Sequence, residues 1–96
     1  MLKNYELMVI LKPLLPEDIR LSIQKKIEKF ITHSKGKILS TDVWGKRHLA
    51  YNVKKHEEGY YIVYQINMDS TLSDSFQRDL KLTSDILRFI LFVKEK

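Results

Sequence analysis

The sequence predicts an α+β fold, a four-stranded antiparallel sheet with two helices on one face. Three observations lead there. Strand-like runs open and close the chain, two segments repeat apolar residues at helical spacing, and the elements follow one another as βαββαβ. Two helices that each cross between strands in this order return to the same side of the sheet, which is the split-βαβ, ferredoxin-like plan.

The first strand covers Tyr5 to Leu11, where Tyr5, Leu7, Val9 and Leu11 alternate with Glu6, Met8 and Ile10, the two-residue period of a pleated strand. Pro13 and Pro16 bracket a short connection, and Pro16 suits a first helical turn, where its missing N–H is no loss. Glu17 and Asp18 then face the positive end of a helix dipole, with Lys25, Lys26 and Lys29 towards its negative end. Ile19, Ile23, Ile27, Phe30 and Ile31 form the apolar stripe of this helix, and Gly36 stops or turns the chain after it. The second strand runs from about Lys37 to Lys54 with a break near Gly45, the mark of a bulge. Beyond it Leu49, Tyr51 and Val53 share a core-facing side. "KKHEEG" reads as a polar turn, and "YYIVYQINM" from Tyr60 to Met68 as the third strand. Asp69 or Ser70 caps a second helix in which Leu72, Phe76 and Leu80 recur every fourth residue. Ile86 to Val93 is the last strand, with Leu87, Phe89, Leu91 and Val93 on one side.

In the usual sheet order for this plan, strands one and three are central, four lies beside one, and two lies beside three. The helix-covered core then holds Leu7, Val9, Leu11, Ile62, Tyr64, Ile66, Phe89 and Leu91. The opposite face receives Glu6, Met8, Ile10, Tyr61, Val63, Gln65, Arg88, Ile90 and Phe92. Glu6 is expected to pair with Arg88 across strands one and four. Met8, Ile10, Tyr61, Val63, Ile90 and Phe92 make that face too apolar to be a plainly solvated one, and a contiguous patch of this kind marks a protein-partner site.

Ninety-six residues make one small domain, 1–96, and the chain has no cysteine for a disulfide or thiolate site. Its start lacks the long apolar core of a secretory signal, and no run is long enough to span a bilayer. A net charge of +5 points to an anionic partner, nucleic acid ahead of a membrane surface. Enzyme chemistry finds no footing. His33, His48 and His56 lie on different elements without metal-ligand spacing. Gly36, Gly45 and Gly59 stand alone rather than forming a phosphate-cradling loop. The loop after strand one reads "KPLLPED", with neither the glycines nor the arginine of an acylphosphatase anion loop. No cofactor, metal or small-molecule substrate is expected. Base stacking in the manner of an RNA-recognition motif is also disfavoured. In "EGYYIVYQI" Glu58 replaces the basic residue of that motif's third strand, Tyr61 fills its small position and Ile62 an aromatic one. Met8 and Ile10 offer no ring plane on strand one.

The order of elements together with "GKRHLAYNVK" resembles the bacterial-type small-subunit ribosomal protein six family. Gly45, Arg47, His48, Leu49, Ala50, Tyr51, Val53 and Lys54 satisfy that family's ten-residue signature. "NYELMVILKP" is similar to its opening, and "EGYYIVYQI" and "LRFILFVK" to its third and fourth strands. The resemblance implies a structural, non-catalytic protein that binds the central domain of small-subunit ribosomal RNA together with ribosomal protein eighteen, in the ribosome of a bacterial cytoplasm or of an organelle such as a plastid. It also implies that the bare sheet face takes the protein partner. Lys46, Arg47 and His48 offer donors to phosphate oxygens beside the Gly45 bend, and Lys54 follows them. Lysines there also guard an edge strand against aggregation. Lys3, Tyr5, Arg88 and Lys94 align with family positions for RNA or partner contact, although Tyr5 also suits the edge of the core. Many family members extend past strand four, whereas this sequence stops at "VKEK", so contacts made by such a tail are not expected. The rival reading from the same fold is a free-standing interaction or regulatory module that dimerises through its sheet.

Overall fold

The structure, a computed structural model, describes the backbone of residues 2–53 and 56–94 and the side chains of 2–48 and 58–94. Its elements are β1 (Leu2–Leu11), α1 (Glu17–His33), β2 (Lys37–Val53), β3 (His56–Asp69), α2 (Ser73–Lys81) and β4 (Ile86–Val93), with a single 3-10 turn at Ser70–Leu72 before α2. The sheet order is β2-β3-β1-β4, and every neighbouring pair is antiparallel. This is the expected ferredoxin-like arrangement.

Register sorts the side chains. Leu7 opposes Tyr64 and Leu91, and Val9 opposes Ile62 and Phe89, so these six lie on one side of the pleat. That side meets Ile23, Ile27 and Ile31 of α1 and Phe76 and Leu80 of α2, all buried in one cluster. Each fully buried aliphatic or aromatic side chain there stabilises the fold by about 1.5–3 kcal/mol. The Lys12–Asp85 ion pair (3.6 Å), which ties the β1–α1 connection to the α2–β4 connection, has both side chains about one-third exposed. Such a pair contributes at most about 1 kcal/mol. The apolar cluster holds the helices down.

Several details depart from the sequence reading. Ile19 is mostly out of the core stripe and is exposed. The bulge between Ile10 and Leu11 sets Ile86 opposite Leu11 and brings Ile86 into the core cluster. β3 starts at His56, so His56 to Gly59 of the expected turn belong to a strand that pairs with β2. Leu49, Tyr51 and Val53, expected to anchor β2, lie outside the described side chains. Asp69 caps the 3-10 turn rather than α2 itself, accepting from the Thr71 backbone N–H. Those Thr71 bonds, from hydroxyl and from backbone, hold the Asp69 carboxyl down at about 2.

The end of α1 is a Schellman motif: the Gly36 N–H reaches the Ile31 carbonyl (2.9 Å) and the Lys35 N–H reaches that of Thr32 (3.0 Å). The left-handed residue is Lys35, with φ 57, one position before the glycine that the sequence reading favoured. Gly36 is needed for space. A Cβ there would press on the Asn67 carbonyl oxygen and stand 2.7 Å from Met68 Cβ.

These two neighbours should therefore respond oppositely. Gly36→Ala is expected to lose about 1–3 kcal/mol through overpacking, whereas Lys35→Gly should cost nothing or stabilise, because glycine removes the left-handed strain. Urea unfolding of both variants checks the pair, and equal losses would contradict the geometry. The buried Tyr64 hydroxyl has no hydrogen-bond partner among the described residues, and burial, then the nearby Glu28 charge, pushes its ionisation upward. Tyr64→Phe should accordingly be neutral or stabilising by about 1 kcal/mol; a loss of that size in the same assay would show that the hydroxyl has a partner.

Candidate protein and nucleic-acid interface

The second side of the pleat carries Glu6, Met8 and Ile10 of β1 beside Gln65, Val63 and Tyr61 of β3. Phe92, Ile90 and Arg88 of β4 follow on the far side of β1. None of these residues belongs to the helix-covered cluster, so this face is bare of the chain's own helices. It is not uniformly open. Ile10 is 5% and Val63 6% exposed. Each is flanked on both sides by a cross-strand neighbour: Ile10 by Tyr61 and Arg88, Val63 by Met8 and Asp42. Cross-strand neighbours on one face lie close enough to shield each other sideways. Phe92, at 50% exposure, is the most exposed of the six expected partner-face residues, and Met8, Tyr61 and Ile90 are half-buried.

The β2 edge adds a feature that the sequence reading missed. β2 shifts register between Val43 and Gly45, leaving Trp44 as the extra residue. Gly45 has φ +81, and a Cβ there would meet nothing within 4 Å, so backbone conformation and not space calls for glycine. This bulge was expected; the placement of its tryptophan was not. Trp44 stacks on Tyr61 with ring centroids 6.1 Å apart and planes inclined by 12°. Its indole Nε1 donates to Asp42 Oδ2 at 3.1 Å. A tryptophan in a strand pattern is usually assigned to the core, and only the adjacent glycine hinted that position 44 leaves it. A second shift, between Ile38 and Ser40, had no glycine to signal it.

The opposite end of the face is polar. Lys94 Nζ donates to Gln65 Oε1 (2.8 Å), and Gln65 Nε2 donates to Glu6 Oε1 (2.9 Å). The expected Glu6–Arg88 pairing is corrected by register: Glu6 stands opposite Phe92, while Arg88 stands opposite Ile10, four residues further along β1.

The cations expected to contact RNA fall into two groups. Lys46, Arg47 and His48 pair with Tyr60, Gly59 and Glu58, Lys46 level with Leu11 of β1 and the other two beyond it, and Arg88 lies towards that same end. Lys3 and Lys94 lie at the other end, where the Lys94 N–H bonds the Asn4 carbonyl. Eight residues of strand separate Lys3 from Leu11, roughly 26 Å at the usual rise. Parity places Arg47 on the bare face and Lys46 and His48 on the other. Arg47 Nη1 turns back to the Lys46 carbonyl (3.0 Å), and His48 Nε2 lies 4.0 Å from Glu58 Oε2. Tyr5 is 3% exposed and sits in the core cluster. Burial, then the Asp69 charge, raises its ionisation. It has no ring face to offer a base. Lys54 lies outside the described residues. Among the described residues no cluster of three or more His, Cys, Asp or Glu groups is placed to hold a metal, and no helix is long and apolar enough to cross a membrane.

Known proteins share this architecture. The family model for ribosomal protein S6 matches residues 4–93. The small ribosomal subunit protein bS6 of Thermoanaerobacter pseudethanolicus is 38% identical over 94% of this chain and 95% of its own. That of Dictyoglomus turgidum is 38% identical over 99% and 98%. The crystal structure of 30S ribosomal protein S6 from Thermotoga maritima superposes with a TM-score of 0.90 at 30% identity, covering 98% of this chain and 89% of that one. With its four-stranded sheet, one-sided helices and near-complete sequence match, this chain belongs to the ribosomal protein S6 family, a family of structural, non-enzymatic proteins.

Proposed function

We propose that this protein is a structural component of the small ribosomal subunit that binds the central domain of small-subunit ribosomal RNA cooperatively with ribosomal protein eighteen. The observation that carries the reading is a sheet face left apolar and free of the chain's own helices, with cations at both ends of the sheet. Apolar groups at the centre suit a polypeptide, because they exclude water without offering anything to a phosphate. Lys46 and Arg47 at one end and Lys3 and Lys94 at the other suit phosphate oxygens, which fix position and register on folded RNA without reading its sequence. Because the cations flank the apolar centre, RNA and protein partner have separate footprints. His48, with Glu58 at its ring nitrogen, and Arg88, on the bare face beside Ile10, are secondary contacts in this scheme. Relatives from bacteria support the ribosome of a bacterial cytoplasm as its location.

Two measurements test the reading. RNA affinity, titrated against salt with and without ribosomal protein eighteen, should be weak for the chain alone and much tighter for the pair. Lys46→Ala with Arg47→Ala should reduce the salt slope by about 1 for each phosphate no longer neutralised. Equal affinity with and without the partner would reject cooperativity. Met8→Asp should abolish pairing with protein eighteen while the chain still unfolds cooperatively, since position 8 lies outside the core cluster. Pairing that survives this charge would show that the partner docks elsewhere.

A further inference from the structure

Trp44 lacks a role in the core or at the phosphate-binding ends. It is a large ring, 42% exposed, at the β2 margin of the bare face. Two contacts fix it: the stack on Tyr61 and the indole N–H to Asp42. The left-handed glycine next to it fixes the backbone from which it projects. An aromatic ring has a negative face that attracts cations. A carboxylate has acceptor capacity for several N–H groups, so the single indole bond does not exhaust Asp42.

We propose that the Trp44–Tyr61 stack and the Asp42 carboxylate together receive a cationic side chain, an arginine guanidinium, from the polypeptide that covers the bare face. This rests on the reading that a polypeptide docks there, and it names what that polypeptide presents at the β2 margin. Arginine fits better than lysine because its planar group lies flat on a ring while its fork of N–H donors meets a carboxylate. Charge at the β2 margin, where Asp42 adjoins the stack, supports a basic polypeptide over RNA. Asp42 lies beside Val63 on β2 and Glu6 beside Met8 on β1, the strands either side of β3, whereas Arg88 stands on β4, two strands away from Tyr61. A phosphate brought to the stack meets the Asp42 carboxylate, and the nearest basic residue on the same side of β2, Arg47, is turned onto the Lys46 carbonyl. The immediate cross-strand neighbours of Tyr61 are Ile10 and Gly45, and those of Val63 are Met8 and Asp42, so among the described residues no cation faces these positions in register.

The test is calorimetric titration of the full chain with ribosomal protein eighteen. Trp44→Leu, which keeps apolar bulk but loses the ring face, and Asp42→Asn, which keeps shape but loses charge, should each weaken binding by about 5- to 30-fold. Trp44→Phe should recover part of the loss. The double variant should lose less than the product of the single losses, because both groups hold one cation, and the Asp42→Asn effect should shrink as salt rises. If both single variants bind within about twofold of the parent while Met8→Asp abolishes binding, a polypeptide docks without a cation at this stack and the proposal falls alone. If Met8→Asp binds normally, the docking reading falls and takes the proposal with it. If Trp44→Leu weakens binding of the ribosomal RNA fragment alone and leaves protein eighteen unaffected, the stack takes a base and the proposal is overturned.

Discussion

Two helices can cover one face of a four-stranded sheet and leave the other to be filled by something else. This constraint acts through the pleat, in which consecutive residues point to opposite sides. Leu7 is sealed beneath α1 and α2, while its neighbour Met8 stands half-buried on the bare side. The register that opposes Leu7 to Tyr64 and Leu91 therefore also opposes Met8 to Val63 and Ile90. A slip of one residue would exchange the two sets, which makes the core packing and the bare apolar face one and the same specification.

The strand margins modify that plan. β2 is an edge strand of seventeen residues, long enough to template pairing with another chain. Its register shifts near Leu39 and Trp44 break the run of regular pairing, and the second of these also projects an aromatic ring over the bare face. At the other end of the face, the Lys94–Gln65–Glu6 chain joins the residue after β4 to β3 and β1 through side chains alone. The face is thus bounded by a stacked aromatic pair at one corner and a polar clasp at another. Its smaller central residues, Ile10 and Val63, are shielded by their own neighbours before any partner arrives. Phe92 and Trp44 are the more open apolar groups of the face, with Met8 and Ile90 half-buried.

Much of this was legible in the sequence. Alternation in "NYELMVIL" and "YYIVYQI" separated Leu7, Val9, Ile62 and Tyr64 from Met8, Ile10, Tyr61 and Val63, because a two-residue period survives any detail of packing. Gly45 signalled a bulge, since a glycine within a strand has few other reasons to be there. What the sequence could not carry were quantities set by contacts between distant segments. The shift at Leu39 has no local marker. Glu6 finds Gln65 and not Arg88 because the register of β4, and not charge, decides which residues meet. Lys35 takes the left-handed position because Gly36 is held against Asn67 and Met68 from β3. Trp44 has no place in the alternating pattern and is set over the bare face by one inserted residue.

The most direct test of the account is methyl NMR of the isoleucines as ribosomal protein eighteen is added. Ile23, Ile27 and Ile31 report the helix-covered core, and Ile10 and Ile90 report the bare face. Shifts and line broadening should centre on Ile10 and Ile90, with the α1 methyls nearly unmoved. Perturbation centred on the α1 isoleucines, with Ile10 and Ile90 unchanged, would contradict it.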